Sequence, residues 1–131
     1  VTSKGRMAGT TVPYTATSGT SWDYPVVILT NRGTASSSEI FSAALHDNDR
    51  AVLVGETTFG KGEIQQLKRQ PDGSALRITV ALYYTPDGTS INDEGIAPDV
   101  IVTNPTIGDE DLQLAEAQRV VTAMMQGQAW K

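Results

Sequence analysis

Two β-favouring runs bracket a helix-forming segment, and that order constrains the fold of this chain more than any other feature. Pro25-Val26-Val27-Ile28-Leu29 is a continuous apolar run, as expected of a strand buried on both faces. It breaks into the turn Thr30-Asn31-Arg32-Gly33-Thr34-Ala35, and a helix opens at Ser36. There Ile40, Phe41, Ala44 and Leu45 recur at helical spacing and predict one apolar stripe. The turn-prone cluster His46-Asp47-Asn48-Asp49 ends the helix, and Ala51-Val52-Leu53-Val54-Gly55 forms a second buried run. Strand, helix and strand of these lengths predict a parallel crossover, and therefore an α/β fold.

The flanks are less regular. Residues 1–24 are rich in Thr, Ser and Gly and predict an exposed loop or loose hairpin. Ile64 to Lys68 and Ala75 to Tyr83 flank the turn Pro71-Asp72-Gly73 and predict a short β-hairpin. In its second arm Leu76, Ile78, Val80 and Leu82 alternate with Arg77, Thr79, Ala81 and Tyr83, the pattern of a half-buried antiparallel strand. Val100-Ile101-Val102 is a last short strand and completes a core over residues 25–104. A C-terminal helix follows over 109–127, with Asp109-Glu110-Asp111 at its N-terminus and Leu114, Ala117, Val121 and Met124 as its buried face.

The chain of 131 residues suits one compact domain. Its net charge of −5, with no cluster among the 10 basic residues, argues against nucleic acid as a partner. The absence of cysteine excludes disulfides and thiolate metal sites, and fits an exported protein. With a single histidine, a zinc site is not expected, and no phosphate-binding glycine loop is present. The opening Val1-Thr2-Ser3-Lys4-Gly5-Arg6 reads like the tail of an element, so a piece of a longer protein is expected.

Chemistry is expected at two turns. Ser36 stands at the strand-to-helix corner, where its hydroxyl would project from the sheet edge beside the free N–H groups of the helix start. Ser36-Ser37-Ser38-Glu39 also matches a capping box, which needs no catalytic role; the two readings are compatible. Lys61 lies in the tight turn Phe59-Gly60-Lys61-Gly62. Enclosed in an apolar pocket under Phe59, a lysine becomes a neutral amine able to take a serine proton; exposed, it is an ordinary loop lysine. Gln65 either orients that amine through its side-chain carbonyl or faces solvent from a strand. His46, at a predicted helix end, is explained as a partner of the helix dipole. Asp47, Asp49, Asp109, Glu110 and Asp111 lack calcium-loop spacing and read as turn and cap residues.

From about Pro25 to Thr103 the chain resembles the carboxyl-terminal processing (tail-specific) serine peptidases. Asn31-Arg32-Gly33-Thr34-Ala35-Ser36-Ser37-Ser38-Glu39-Ile40 is similar to their nucleophile motif, with Thr34 and Ser37 where serine and alanine are common. Gly55-Glu56-Thr57-Thr58-Phe59-Gly60-Lys61-Gly62 is similar to their general-base motif. Tyr83-Tyr84-Thr85-Pro86-Asp87-Gly88 and Gly95-Ile96-Ala97-Pro98-Asp99-Val100 match the segments that follow. The resemblance implies Ser36 as nucleophile, Lys61 as base, Gln65 as the third member, and the Ser37 N–H as one oxyanion donor. It implies the C-terminal half of a crotonase-like (ClpP/crotonase) spiral core. An upstream protease half, the second oxyanion donor and a peptide-binding PDZ domain would then lie outside these residues. Protein or peptide substrates with accessible C-termini, no cofactor, and a periplasmic, thylakoid-lumenal or extracellular location follow from the same likeness. A homo-oligomer is compatible with it.

The leading expectation is thus a serine endopeptidase fragment working through an acyl-enzyme. The alternative is a non-catalytic binding or scaffolding module, inactive without the upstream half. A crotonase-type acyl-CoA enzyme would share the fold but use backbone donors without a Ser–Lys pair, so the Phe-Gly-Lys-Gly turn counts against it.

Overall fold

A computed structural model describes residues 1–7, 9–19, 23–103 and 110–128. Along the chain run β1 (Thr2–Gly5), β2 (Thr11–Pro13), β3 (Val27–Thr30), α1 (Ser37–His46), β4 (Val52–Gly55), β5 (Glu63–Arg69), β6 (Ala75–Tyr84), β7 (Val100–Ile101) and α2 (Leu112–Met125). The strands form two sheets. One is parallel, in the order β3-β4-β7, and the other antiparallel, in the order β2-β1-β6-β5.

The strand–helix–strand expectation holds. β3 pairs in parallel with β4, Val27 against Val52 through Thr30 against Gly55, and β7 pairs in parallel on the other side of β4. β4 is buried throughout and its side chains alternate between two cores. Leu53 packs with Ala43, Ile91 and Ile96, beside Ile28 and Ile40. Val52 and Val54 pack with Ala117 and Val120, beside Val27 and Met124. Helix α1 therefore covers one face of the parallel sheet and α2 the other. β3 is not buried on both faces as its composition suggested, and Leu29 remains 42% exposed. Among the described residues it is an edge strand, with a neighbour on one side only.

Both helices are turned by about one residue from their expected faces. In α1 the buried residues are Glu39, Ser42 and Ala43, while Phe41 is exposed. Glu39 accepts four hydrogen bonds, and these draw its side of the helix inward. In α2 the buried set is Gln113, Ala117, Val120 and Ala123, with Leu114 exposed. There the Gln113 side-chain amide donates to the Val102 carbonyl, seating a polar residue where Leu114 was expected. Asp111 caps α2 by accepting the Leu114 N–H, whereas Asp109 lies outside the described residues.

The segment before Pro25 contains a hairpin of β1 and β2, and β1 also pairs with β6 from Thr2 against Tyr84 to Gly5 against Ala81. This pairing reaches only the last four residues of β6. The outer part of the β5–β6 ribbon has no covering layer, so Leu76, Ile78 and Val80 are exposed rather than half-buried. The alternating pattern is present, but nothing in the described chain packs on it.

Candidate active site

Ser36 occupies the corner between β3 and α1. The preceding turn is tied internally: the Thr34 N–H donates to the Asn31 carbonyl, and the Asn31 N–H to the Thr34 hydroxyl. Ser36 is the N-cap residue, with φ 57° and ψ −119°. That backbone conformation belongs to the first central position of a type II′ turn, where glycine is the rule. A side chain held there stores strain, a feature that concentrates at functional sites. The Ser36 hydroxyl is in capping-box position but makes no cap hydrogen bond of good geometry, and the residue is exposed. Ser37 opens the helix. Its N–H has no partner among the described residues, as the geometry of a first helical turn requires. A depression of about 340 Å³ adjoins this corner, lined by Ile28, Leu29, Thr34, Ser37, Ser38 and Phe41 among others.

The second turn leaves β4 and runs to β5. Thr58, Gly60 and Gly62 are buried while Phe59 and Lys61 between them are exposed, so the Phe59 and Lys61 side chains face outward together. The described residues therefore do not enclose Lys61, and Phe59, 66% exposed, provides no cover. The inward edge of the turn is its backbone. It packs so closely on residues 92–96 that a Cβ on Gly60 would lie 2.9 Å from the Gly95 nitrogen, and one on Gly62 2.5 Å from the Asn92 nitrogen. Only glycine permits that approach.

Glu39 joins the two turns. It is fully buried. One carboxylate oxygen, Oε2, accepts the N–H of Ser36 at 2.8 Å and the N–H of Lys61 at 2.8 Å. The other, Oε1, accepts the Gly60 N–H at 2.6 Å and the Thr58 hydroxyl at 2.5 Å. Four donors match the acceptor capacity of a carboxylate, which is the condition for burying one. The backbone nitrogens of Ser36 and Lys61 are hence no farther apart than two hydrogen bonds to a single atom. A further bond, from the Phe59 N–H to the Thr34 carbonyl at 2.8 Å, runs alongside.

Gln65 stands apart from this junction. It is exposed on β5, next to a register shift between Ile64 and Gln65, and its Nε2 donates to Glu63 at 2.9 Å. Its carbonyl oxygen has no partner among the described residues.

His46 ends α1, as expected of a dipole partner, but more holds it there. Nδ1 lies 3.0 Å from Asp47 and Nε2 3.4 Å from Asp99, so the imidazole bridges the helix end and the approach to β7. Burial pushes its pKa down. The hydrogen bond to Asp47 and the charge and hydrogen bond of Asp99 together outweigh burial, and hold it above the ordinary imidazole value. Burial likewise pushes Asp47 up, but the Thr85 hydroxyl, the Asp87 N–H and His46 bring it below the usual carboxylate range.

Residues 1–102 match the family model for peptidase family S41. The chain belongs to that family. Among its relatives are a carboxyl-terminal-processing protease of Synechocystis sp., 50% identical over 99 residues, which are 76% of this chain and 23% of that protein. The chloroplastic carboxyl-terminal-processing peptidase 3 of Arabidopsis thaliana is 51% identical over 92 residues, 70% of this chain and 18% of the relative. Among solved structures, the photosystem II D1 C-terminal processing protease superposes with a TM-score of 0.61 at 44% identity, over 74% of this chain and 24% of that one. The chain thus spans between 18% and 24% of the length of these proteins.

Sequence reasoning located both turns but gave Glu39 only a local capping role. Hydrophobic periodicity carried no signal for more: it places the apolar stripe on Ile40, Phe41, Ala44 and Leu45, and the buried face that Glu39 shares with Ala43 emerges only in the structure.

Proposed function

We propose that this S41 chain is the C-terminal part of the catalytic domain of a serine endopeptidase that cleaves proteins near their C-termini. Ser36 is the nucleophile and Lys61 the general base. Lys61 in its neutral form takes the Ser36 hydroxyl proton as the oxygen attacks the scissile carbonyl. The Ser37 N–H donates to the developing oxyanion, and the proton passes to the leaving amine. Water then releases the acyl group from Ser36 by the same path in reverse. Gln65, four positions beyond Lys61, orients the amine through its carbonyl oxygen.

The observation that carries this reading is the single Glu39 oxygen shared by the Ser36 and Lys61 amides. It gives two turns distant in sequence a common anchor, and the strained Ser36 backbone presents the hydroxyl outward. The exposure of Lys61 and Phe59 supports a site completed by residues outside the chain: an upstream half that encloses the lysine and supplies the second oxyanion donor. In that parent protein the parallel sheet and its helices would form half of a crotonase-like spiral. A PDZ domain would present the substrate tail, and an exported location would follow.

Turnover of an unstructured protein substrate by the parent enzyme tests the assignment. Ser36→Ala is expected to abolish hydrolysis in a folded protein. Lys61→Arg is expected to be as damaging as Lys61→Ala, because guanidinium stays protonated. Near-normal turnover in Ser36→Ala removes the nucleophile from the scheme, and an active Lys61→Arg enzyme removes the base. The chain alone is expected to be inactive; Ser36-dependent cleavage by it would show that the site needs nothing more.

A further inference from the structure

Glu39 can anchor both turns only if its carboxylate is held in one rotation, with Oε2 turned to Ser36 and Lys61 and Oε1 to Gly60. Thr58 adds a second donor on Oε1, beside the Gly60 N–H, and so tightens that constraint. Its hydroxyl is buried and engaged on both sides: Oγ1 accepts the Ile96 N–H at 2.8 Å and donates its own proton to Glu39 Oε1 at 2.5 Å. Since the Ile96 N–H can only donate, the hydroxyl proton has one useful direction, toward the carboxylate. The Thr58 main chain is fixed independently, its N–H donating to the Ile96 carbonyl at 3.1 Å. Gly95 closes the other side: a Cβ there would stand 2.4 Å from the Thr58 carbonyl oxygen.

From this we propose that Thr58 is a positioning residue of the peptidase site. Its hydroxyl relays the placement of residues 95–96 to the Glu39 carboxylate, and through it sets the spacing of Ser36 and Lys61. The proposal rests on the assignment of those two residues as nucleophile and base. Thr58 touches neither the substrate nor the reacting atoms. Without the hydroxyl, the Ile96 N–H loses its acceptor and Oε1 loses a donor. Oε1 then rests on the Gly60 N–H alone, so the carboxylate is held less tightly and the two anchored turns drift relative to each other. A misplacement of reacting groups of about 1 Å costs on the order of a hundredfold in rate.

The test is steady-state kinetics of the full-length parent enzyme carrying Thr58→Val, Thr58→Ser and Thr58→Cys, each checked for folding by its unfolding transition, with Ser36→Ala alongside. Thr58→Val keeps the shape and removes the hydroxyl; its kcat is expected to fall by about 10- to 100-fold with KM within about twofold. Thr58→Ser restores the donor and is expected to recover kcat to within about threefold of the parent even where its unfolding midpoint drops, because the lost methyl affects packing and not the relay. Thr58→Cys, a weak donor, falls between. A folded Thr58→Val enzyme with unchanged kcat overturns the proposal, as does a Thr58→Ser enzyme whose kcat falls as far as that of Thr58→Val. If Thr58→Val does not fold, equal kcat for Ser and Cys at position 58 overturns it. Ser36→Ala separates the two levels: if it stays active, the assignment of the nucleophile fails; if it is dead while Thr58→Val is fully active, only the relay fails.

Discussion

Replacing Ser36 by glycine should make the fold more stable while leaving the proposed parent enzyme unable to cleave. The native φ of 57° and ψ of −119° suit glycine and strain any residue with a Cβ. Such strain amounts to about 1–3 kcal/mol. Glycine loses more backbone freedom on folding, at a cost of roughly 0.5–1 kcal/mol. The hydroxyl contributes little to set against this, since it makes no cap hydrogen bond of good geometry and the residue is exposed. The expected net gain is therefore on the order of 1 kcal/mol. The proper reference is Ser36→Ala, which removes the same hydroxyl but keeps the Cβ and hence the strain. Urea unfolding of the two variants in otherwise identical protein reads the difference directly, as a higher midpoint for glycine at an unchanged slope. In the proposed parent enzyme hydrolysis should be absent from both. A glycine variant with a midpoint equal to or below that of the alanine variant would mean that the corner is relaxed. The stability–activity conflict inferred for Ser36 would then not exist.

Gly95→Ala should cost at least about 2 kcal/mol, because φ is +69° and the new Cβ would meet the Thr58 carbonyl at 2.4 Å; chemical denaturation measures it, and a neutral variant would contradict the close packing of the two segments. Leu53→Ala should cost about 2–5 kcal/mol, since this fully buried side chain packs against Ala43, Ile91 and Ile96 and its removal leaves a cavity. The raised pKa of His46 means that its contribution to stability is fully present below the unfolded imidazole value and is lost as pH rises through the folded value. Unfolding midpoints measured from about pH 5 to about pH 8 should therefore show a decline that His46→Gln removes, and an unchanged pH dependence in that variant would refute the bridge to Asp47 and Asp99.

The parallel crossover was legible because it depends on local properties: β-favouring runs of the right length, a turn of small residues, and a helix start. The position of the two site turns was legible for the same reason. What failed was the choice of faces. Phe41 and Leu114 were expected inside, but each helix is rotated by a polar residue with non-local partners, Glu39 and Gln113. Hydrophobic periodicity cannot register a side chain whose donors come from another turn of the chain. The cover expected from Phe59 failed differently. Phe59 and Lys61 flank the buried Gly60, whose backbone turns toward Glu39 and residues 93–95, so both side chains are left on the exposed side, where neither buries the other. The outer ribbon of β5 and β6 shows the converse case, since alternation reports which face is apolar and not whether anything lies against it.

The Glu39 junction also bears on how the surface of this domain exchanges its amide hydrogens. Ser36 and Lys61 are exposed residues near chain turns, where main-chain N–H groups ordinarily trade protons with water through small, independent fluctuations. Here those N–H groups and that of Gly60 all end on one buried carboxylate. None can be released without disturbing the acceptor of the others. The three hydrogens should therefore exchange slowly for surface positions, and at closely similar rates, as members of one opening unit that spans both turns. A site that looks like two flexible corners would then open and close as a single piece.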